Sequence, residues 1–76
     1  MFCPIRMENV KDVHKVSNWA AKSGIDMVVS IGNTRIDPRS LLGLFNFVGQ
    51  EVLLVAPDDT DPDRFMTYVK KMGVLA

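Results

Sequence analysis

Apolar residues recur along this chain with two different periods, and each change of period marks a change of element. At the start, Phe2, Ile5 and Met7 stand among Cys3, Pro4 and Arg6. This reads as a short opening strand, and Pro4 confines it to the edge of a sheet because a proline cannot donate to a central ladder. From Val10 the period lengthens. At ~100° per residue, Val10, Val13, Val16, Ser17, Ala20, Ala21 and Gly24 gather on one side, while Lys11, Lys15 and Lys22 lie on another. The spacing predicts an amphipathic helix to Ser23, with Asn9 as N-cap, Asp12 favouring the amide-rich first turn, and Gly24 as the left-handed residue that closes it. The period then returns to two. Ile25, Met27, Val29 and Ile31 alternate with Asp26, Val28 and Ser30, a half-buried strand, and Gly32-Asn33 turns the chain into a short partner strand, Thr34 to Ile36.

In the second half, Asp37 is expected to cap a helix whose first position is Pro38, where the missing N–H costs nothing. The apolar segment Leu41 to Phe47 rides on that helix, and Gly49 ends it. Val52 to Ala56 is an apolar run of strand length stopped by Pro57, the best candidate for a central strand. Thr60 or Asp61 then caps a last helix that has Pro62 near its start, carries Phe65, Val69 and Met72 on one face, and stops at Gly73. Strand, helix, strand, strand, helix, strand, helix in so short a chain implies an α+β fold: one domain over residues 1–76, with an antiparallel or mixed sheet and its helices on a single face.

Composition narrows the function. A chain of 76 residues buries only about 60% of its unfolded surface and has no room for a deep catalytic cleft, so a non-enzymatic role is expected. Nine basic and nine acidic side chains cancel, which removes the broad positive field that nucleic-acid binding needs. No apolar run approaches the ~20 residues of a membrane span, and no secretory signal is visible. With a single cysteine, Cys3, the cytoplasm is the expected location.

Candidate chemistry is sparse. One histidine, His14, and one cysteine cannot assemble a zinc site, and no other metal or cofactor is expected. Asp59, Asp61 and Asp63 alternate like the front of a calcium loop, but Arg64 stands where the turn glycine belongs and Lys70 where the bidentate glutamate belongs, so helix capping accounts for the aspartates. Cys3, in a strand and without a nearby base, reads as a small buried hydrophobe. His14 reads as a half-exposed surface residue on a helix flank.

The stretch SGIDMVVSIGNTRIDPRSLLGLFNF, followed by GQEVLLVA, resembles HPr, the small histidine-containing phosphocarrier of the bacterial sugar phosphotransferase system. The likeness is carried by a glycine-centred turn, a short strand, and then Arg39-Ser40-Leu41-Leu42-Gly43-Leu44-Phe45, a basic residue and a serine leading into apolar residues around a glycine. It covers about Ala20 to Ala56, and the element order extends it to the rest. The resemblance implies an open-faced β-sandwich of βαββαβα order, a four-stranded antiparallel sheet with three helices on one face.

The resemblance also implies where function departs. HPr relatives carry the phosphoryl group on a histidine that caps the first helix, inside a glycine-isoleucine-histidine-alanine-arginine-proline motif. Here no such motif exists, and counting back from Asp26 without a gap places Asn9 at that cap. Using His14 instead would shorten the helix to Lys15–Ser23 and leave Val10 and Val13 outside it. The implied protein is a regulatory or adaptor relative, degenerate at the phosphohistidine loop like the Crh-like branch, with an active carrier using His14 as the alternative. Ser40 is either an ordinary first-turn serine or the regulatory serine that a dedicated kinase phosphorylates in relatives. Spacing sets Leu44, Phe47 and Val48 on the core side, with Leu41 adjoining, and turns Leu42 and Phe45 away from it. In the family the corresponding apolar residues form an exposed patch onto which partners dock, so the resemblance implies that Arg39, Leu41, Leu42 and Phe45 contact protein partners: an HPr-type serine kinase, phosphotransferase-system proteins or transcriptional regulators. For Phe45 a core role stands beside that one. Trp19, whose helical angle points away from the Val13 and Ala20 stripe, joins them as an aromatic candidate for partner contact.

Overall fold

The computed structural model describes residues 1–76. Its elements are β1 (Phe2–Arg6), α1 (Val10–Ser23), β2 (Val28–Ile31), β3 (Thr34–Ile36), α2 (Leu41–Phe45), β4 (Glu51–Val55) and α3 (Pro62–Met72), in the expected order. All pairings are antiparallel, and the strands lie in the order β1-β4-β2-β3. The apolar run around Leu53 and Leu54 is therefore an inner strand, with β1 on one side and β2 on the other. Pro4 sits in edge strand β1 opposite Leu53.

Register assigns the two faces of the sheet. Cys3 pairs with Leu54, Ile5 with Val52, and Val29 with both Leu54 and Ile36, so these side chains project together toward the helices. Their neighbours Phe2, Pro4, Val28, Ser30 and Leu53 lie on the opposite, open face. Against the inner face pack Val13, Val16 and Ala20 of α1, Leu44 of α2, and Phe65, Val69 and Met72 of α3, in one core cluster of 16 buried residues. Each of the larger apolar side chains taken from water, Ala20 excepted, contributes about 1.5–3 kcal/mol, which is what holds seven short elements to one centre.

Both long helices end where their sequences indicate. Asn9 caps α1, and Gly24 closes it at φ 68°. Asp61 caps α3, its carboxylate accepting from the Asp63 amide, Pro62 takes the first turn, and Gly73 closes the helix at φ 68°. Three expectations need correction. Val10 and Ala21 are exposed, since both lie roughly a quarter turn around α1 from the buried Val13, Val16 and Ala20 stripe. The second strand begins at Val28 instead of Ile25, since the Met27 amide bonds back to the Ile25 carbonyl in a tight local turn. The middle helix is shorter than expected at both ends, starting at Leu41 instead of Pro38 and ending at Phe45 well before Gly49, for reasons that belong to the site.

Candidate functional site

The segment from Asp37 to Ser40 forms a turn rather than the opening of a helix. The Ser40 amide donates to the Asp37 carbonyl at 2.9 Å, and the Asp37 carboxylate accepts from the Arg39 amide at 2.9 Å. Asp37 thus spends its side chain on a local turn, which competes with helix capping for the same oxygen atoms. Arg39 closes the arrangement with a two-pronged ion pair, Nε and Nη2 donating to the two Asp37 oxygens at 3.0 and 2.9 Å. That hydrogen bond from Arg39 holds the Asp37 carboxyl below the usual carboxylate range and raises the Arg39 guanidinium in turn.

Helix α2 therefore begins at Leu41, with Ser40 in the N-cap position and its hydroxyl making no cap hydrogen bond. It ends at Phe45, and residues 46–49 continue as turns. Gly49, at φ 86°, donates its amide to the Met7 carbonyl at 2.7 Å, tying the turn to the end of β1 and not to the helix. Within this one and a half turns the side chains divide sharply. Leu44 is fully buried, Leu41 and Phe45 are half-buried, and Leu42 is 82% exposed. Gly43 sets how closely α2 rides on the sheet: a Cβ there would stand 2.8 Å from Ile36 Cγ2.

Helix α1 supplies the other wall. The Ser17 hydroxyl donates to the Arg39 carbonyl at 3.4 Å, and the exposed His14 ring meets Phe45 edge to face, with centroids 6.2 Å apart at 73°. His14, Arg39, Ser40, Leu41, Leu42 and Phe45 consequently share the α1–α2 side of the molecule. Trp19 does not join them. It is half-buried on the α3 side of α1, beside Tyr68 at 6.2 Å between ring centroids.

The N-terminal tip of α1 is occupied by the chain's own groups. Asn9 Oδ1 accepts from the Asp12 amide at 3.0 Å, and Asp12 Oδ2 accepts from the Glu8 amide at 2.8 Å. This reciprocal capping satisfies free donors and places a carboxylate where the helix dipole favours an anion. His14 stands a turn further along, away from those amides. The spacing of Asn9 and Asp12 makes their capping legible in the sequence, whereas the Glu8 amide and the Ser17 contact depend on three-dimensional placement.

Elsewhere, a shallow cleft of about 170 Å³ lies between Asp26, Arg35, Asp37 and Arg39, below the ~300–1,000 Å³ typical of small-molecule pockets. Cys3 is buried, and burial pushes its thiol pKa up. No three His, Cys, Asp or Glu side chains converge in metal-binding geometry. No helix is long and apolar enough to cross a membrane.

No family model and no curated protein match the chain. Among solved structures, the crystal structure of HPr-C-His from Thermoanaerobacter tengcongensis is similar, with a TM-score of 0.69 at 18% sequence identity, covering 96% of this chain and 93% of that one. The protein thus has an HPr-like fold over nearly its whole length, as the resemblance implied.

Proposed function

We propose that this protein is a regulatory or adaptor relative of the phosphotransferase-system carriers, which binds partner proteins through Arg39, Leu41, Leu42 and Phe45 and does not carry a phosphoryl group on histidine. The observation that carries this reading is the contrast between the two helix starts. The α1 tip, where an HPr-type carrier would need its imidazole, is closed by Asn9 and already holds the Asp12 carboxylate, which repels an incoming phosphate. The α2 surface is open: Leu42 stands almost free in solvent beside half-buried Leu41 and Phe45, the kind of small apolar patch a partner covers.

Ser40 is the regulatory position in this reading. Its hydroxyl is exposed and is not engaged in capping. A phosphate there would compete with Asp37 for the Arg39 guanidinium, turning a closed ion pair into a three-way contact at the edge of the docking patch. The modification would therefore alter the patch electrically and leave the core untouched.

Incubation with phosphoenolpyruvate and the general enzyme of the phosphotransferase system tests the reading. The expected result is no acid-labile phosphate, and label on His14 would replace it with an active carrier. Treatment with the HPr serine kinase should give an acid-stable modification that Ser40→Ala abolishes. If kinase-treated wild type stays unmodified, the regulatory part is wrong.

A further inference from the structure

The two long helices carry a charge that the total conceals. Helices α1 and α3 together bear six basic side chains, Lys11, Lys15, Lys22, Arg64, Lys70 and Lys71, against two acidic ones, Asp12 and Asp63, hence +4 in a chain of net charge zero. All of the lysines are on these two helices. The helices run antiparallel beside one another: Arg64 in the first turn of α3 donates to the Ser23 carbonyl at the end of α1, while Gly73 after α3 lies near Lys15 in the first half of α1.

The lysines are not spread evenly. The Lys22 and Lys71 amines, one from each helix, stand 5.0 and 4.9 Å from the centroid of the same Trp19 ring, with Tyr68 alongside. The indole face attracts each ammonium, and together they place two like charges around one ring. None of the protein's ion pairs involves either of them. An acidic partner would relieve that repulsion and gain a charge-assisted contact at each amine.

We infer that the α1–α3 face around Trp19, Lys22, Tyr68 and Lys71 is a second docking surface, whose partner is an acidic segment of another protein. Charge complementarity names the sign of the partner, and the surroundings name its class. A single-stranded nucleic acid needs free aromatic faces for stacking, whereas Trp19 is half-buried with both lysine amines against it. A membrane surface needs apolar side chains to insert, and the exposed large apolar residues of this protein are Phe2, Val10, Leu42, Leu53 and Leu75, with Val10 the sole one on these helices and at the far end of α1 from Lys22. An acidic peptide strand requires neither. This surface is independent of Ser40 and Leu42, so it stands or falls apart from the function proposed above.

Trp19 is the one tryptophan of the chain, so its fluorescence reports occupancy directly. The experiment titrates the whole protein with an eight-residue peptide of alternating Asp and Glu, and with a Gln peptide of equal length. The expected result is a saturable change in emission with the acidic peptide alone, weakened about tenfold or more in the Lys22→Gln, Lys71→Gln double variant and weakened likewise by raising salt. Absence of a saturable change overturns the inference, as does binding that the double variant or salt leaves unaltered. Tighter response to oligo-thymidine or to phosphatidylserine vesicles overturns the class of partner. Sedimentation showing salt-sensitive self-association abolished by the double variant would make the occupant a second copy, and equally overturn it.

Discussion

Gly43 and Asp37 show how much single residues decide here. Gly43 has ordinary helical geometry, so its role is space: the Ile36 methyl occupies the position its Cβ would need. Gly43→Ala must push α2 off β3, an overpacking cost of about 1–3 kcal/mol set against the roughly 0.5–1 kcal/mol that alanine gains in an unobstructed helix, so a net loss in urea unfolding is expected. Asp37 makes a pH-dependent prediction. Its carboxyl is held low by Arg39, so the pair contributes above the unfolded aspartate value of about 3.9 and is lost as pH falls through the folded value. Arg39→Gln should therefore move the Asp37 titration upward, as followed by carboxyl NMR, while stability near neutrality changes little because the pair is exposed and screened. An unmoved titration would show that Arg39 does not hold it in solution.

At the scale of elements, the legibility of the sequence tracks how local the signals are. The limits of α1 and α3 were readable because Asn9, Gly24, Asp61, Pro62 and Gly73 each act on their own neighbours. The start of α2 was not, because Asp37-Pro38-Arg39-Ser40 suits a cap and a turn equally, and the reach of Arg39 back to Asp37 decides between them. Helical angle did indicate that Leu42 leaves the core, yet Phe45, turned away by the same angle, is half-buried against the core and meets His14 edge to face, a placement no spacing within α2 contains. Likewise Trp19 could be seen to leave the α1 stripe, but its partners Tyr68 and Lys71 lie on a helix some fifty residues away in sequence. Two predictions belong here. Asn9→Ala should destabilise the protein by about 1 kcal/mol, measured in urea, because it frees an N-terminal amide of α1. Helix α2, five residues long and without a side-chain cap, should lose amide protection first in hydrogen exchange, and Leu44→Ala should extend that loss where Leu42→Ser does not. Protection of α2 equal to that of α1 would contradict this account.

For the whole molecule, one core joins the sheet to three helices, so the elements are expected to unfold together. Trp19 fluorescence and far-ultraviolet circular dichroism should report coincident transitions in urea. An early fluorescence change would mean that α1 and α3 separate while the sheet persists. The same integration keeps the two proposed surfaces apart, one on the α2 side of α1 and one on its α3 side. They can be mutated separately at exposed residues without disturbing the shared interior.

The margins of the sheet carry a consequence of their own. Beyond β1, the Arg6 amide donates to Val74 and the Ala76 amide to Pro4, so the final residues lie along that border as a partial fifth strand. The opposite border, β3, offers three residues, with a charged guanidinium at their centre. An invading peptide, or another molecule seeking to extend the ladder, meets a sealed flank on one side and a lip too short to template on the other. Polymerisation through strand addition is thereby discouraged at both borders, even though one face of the sheet lies open.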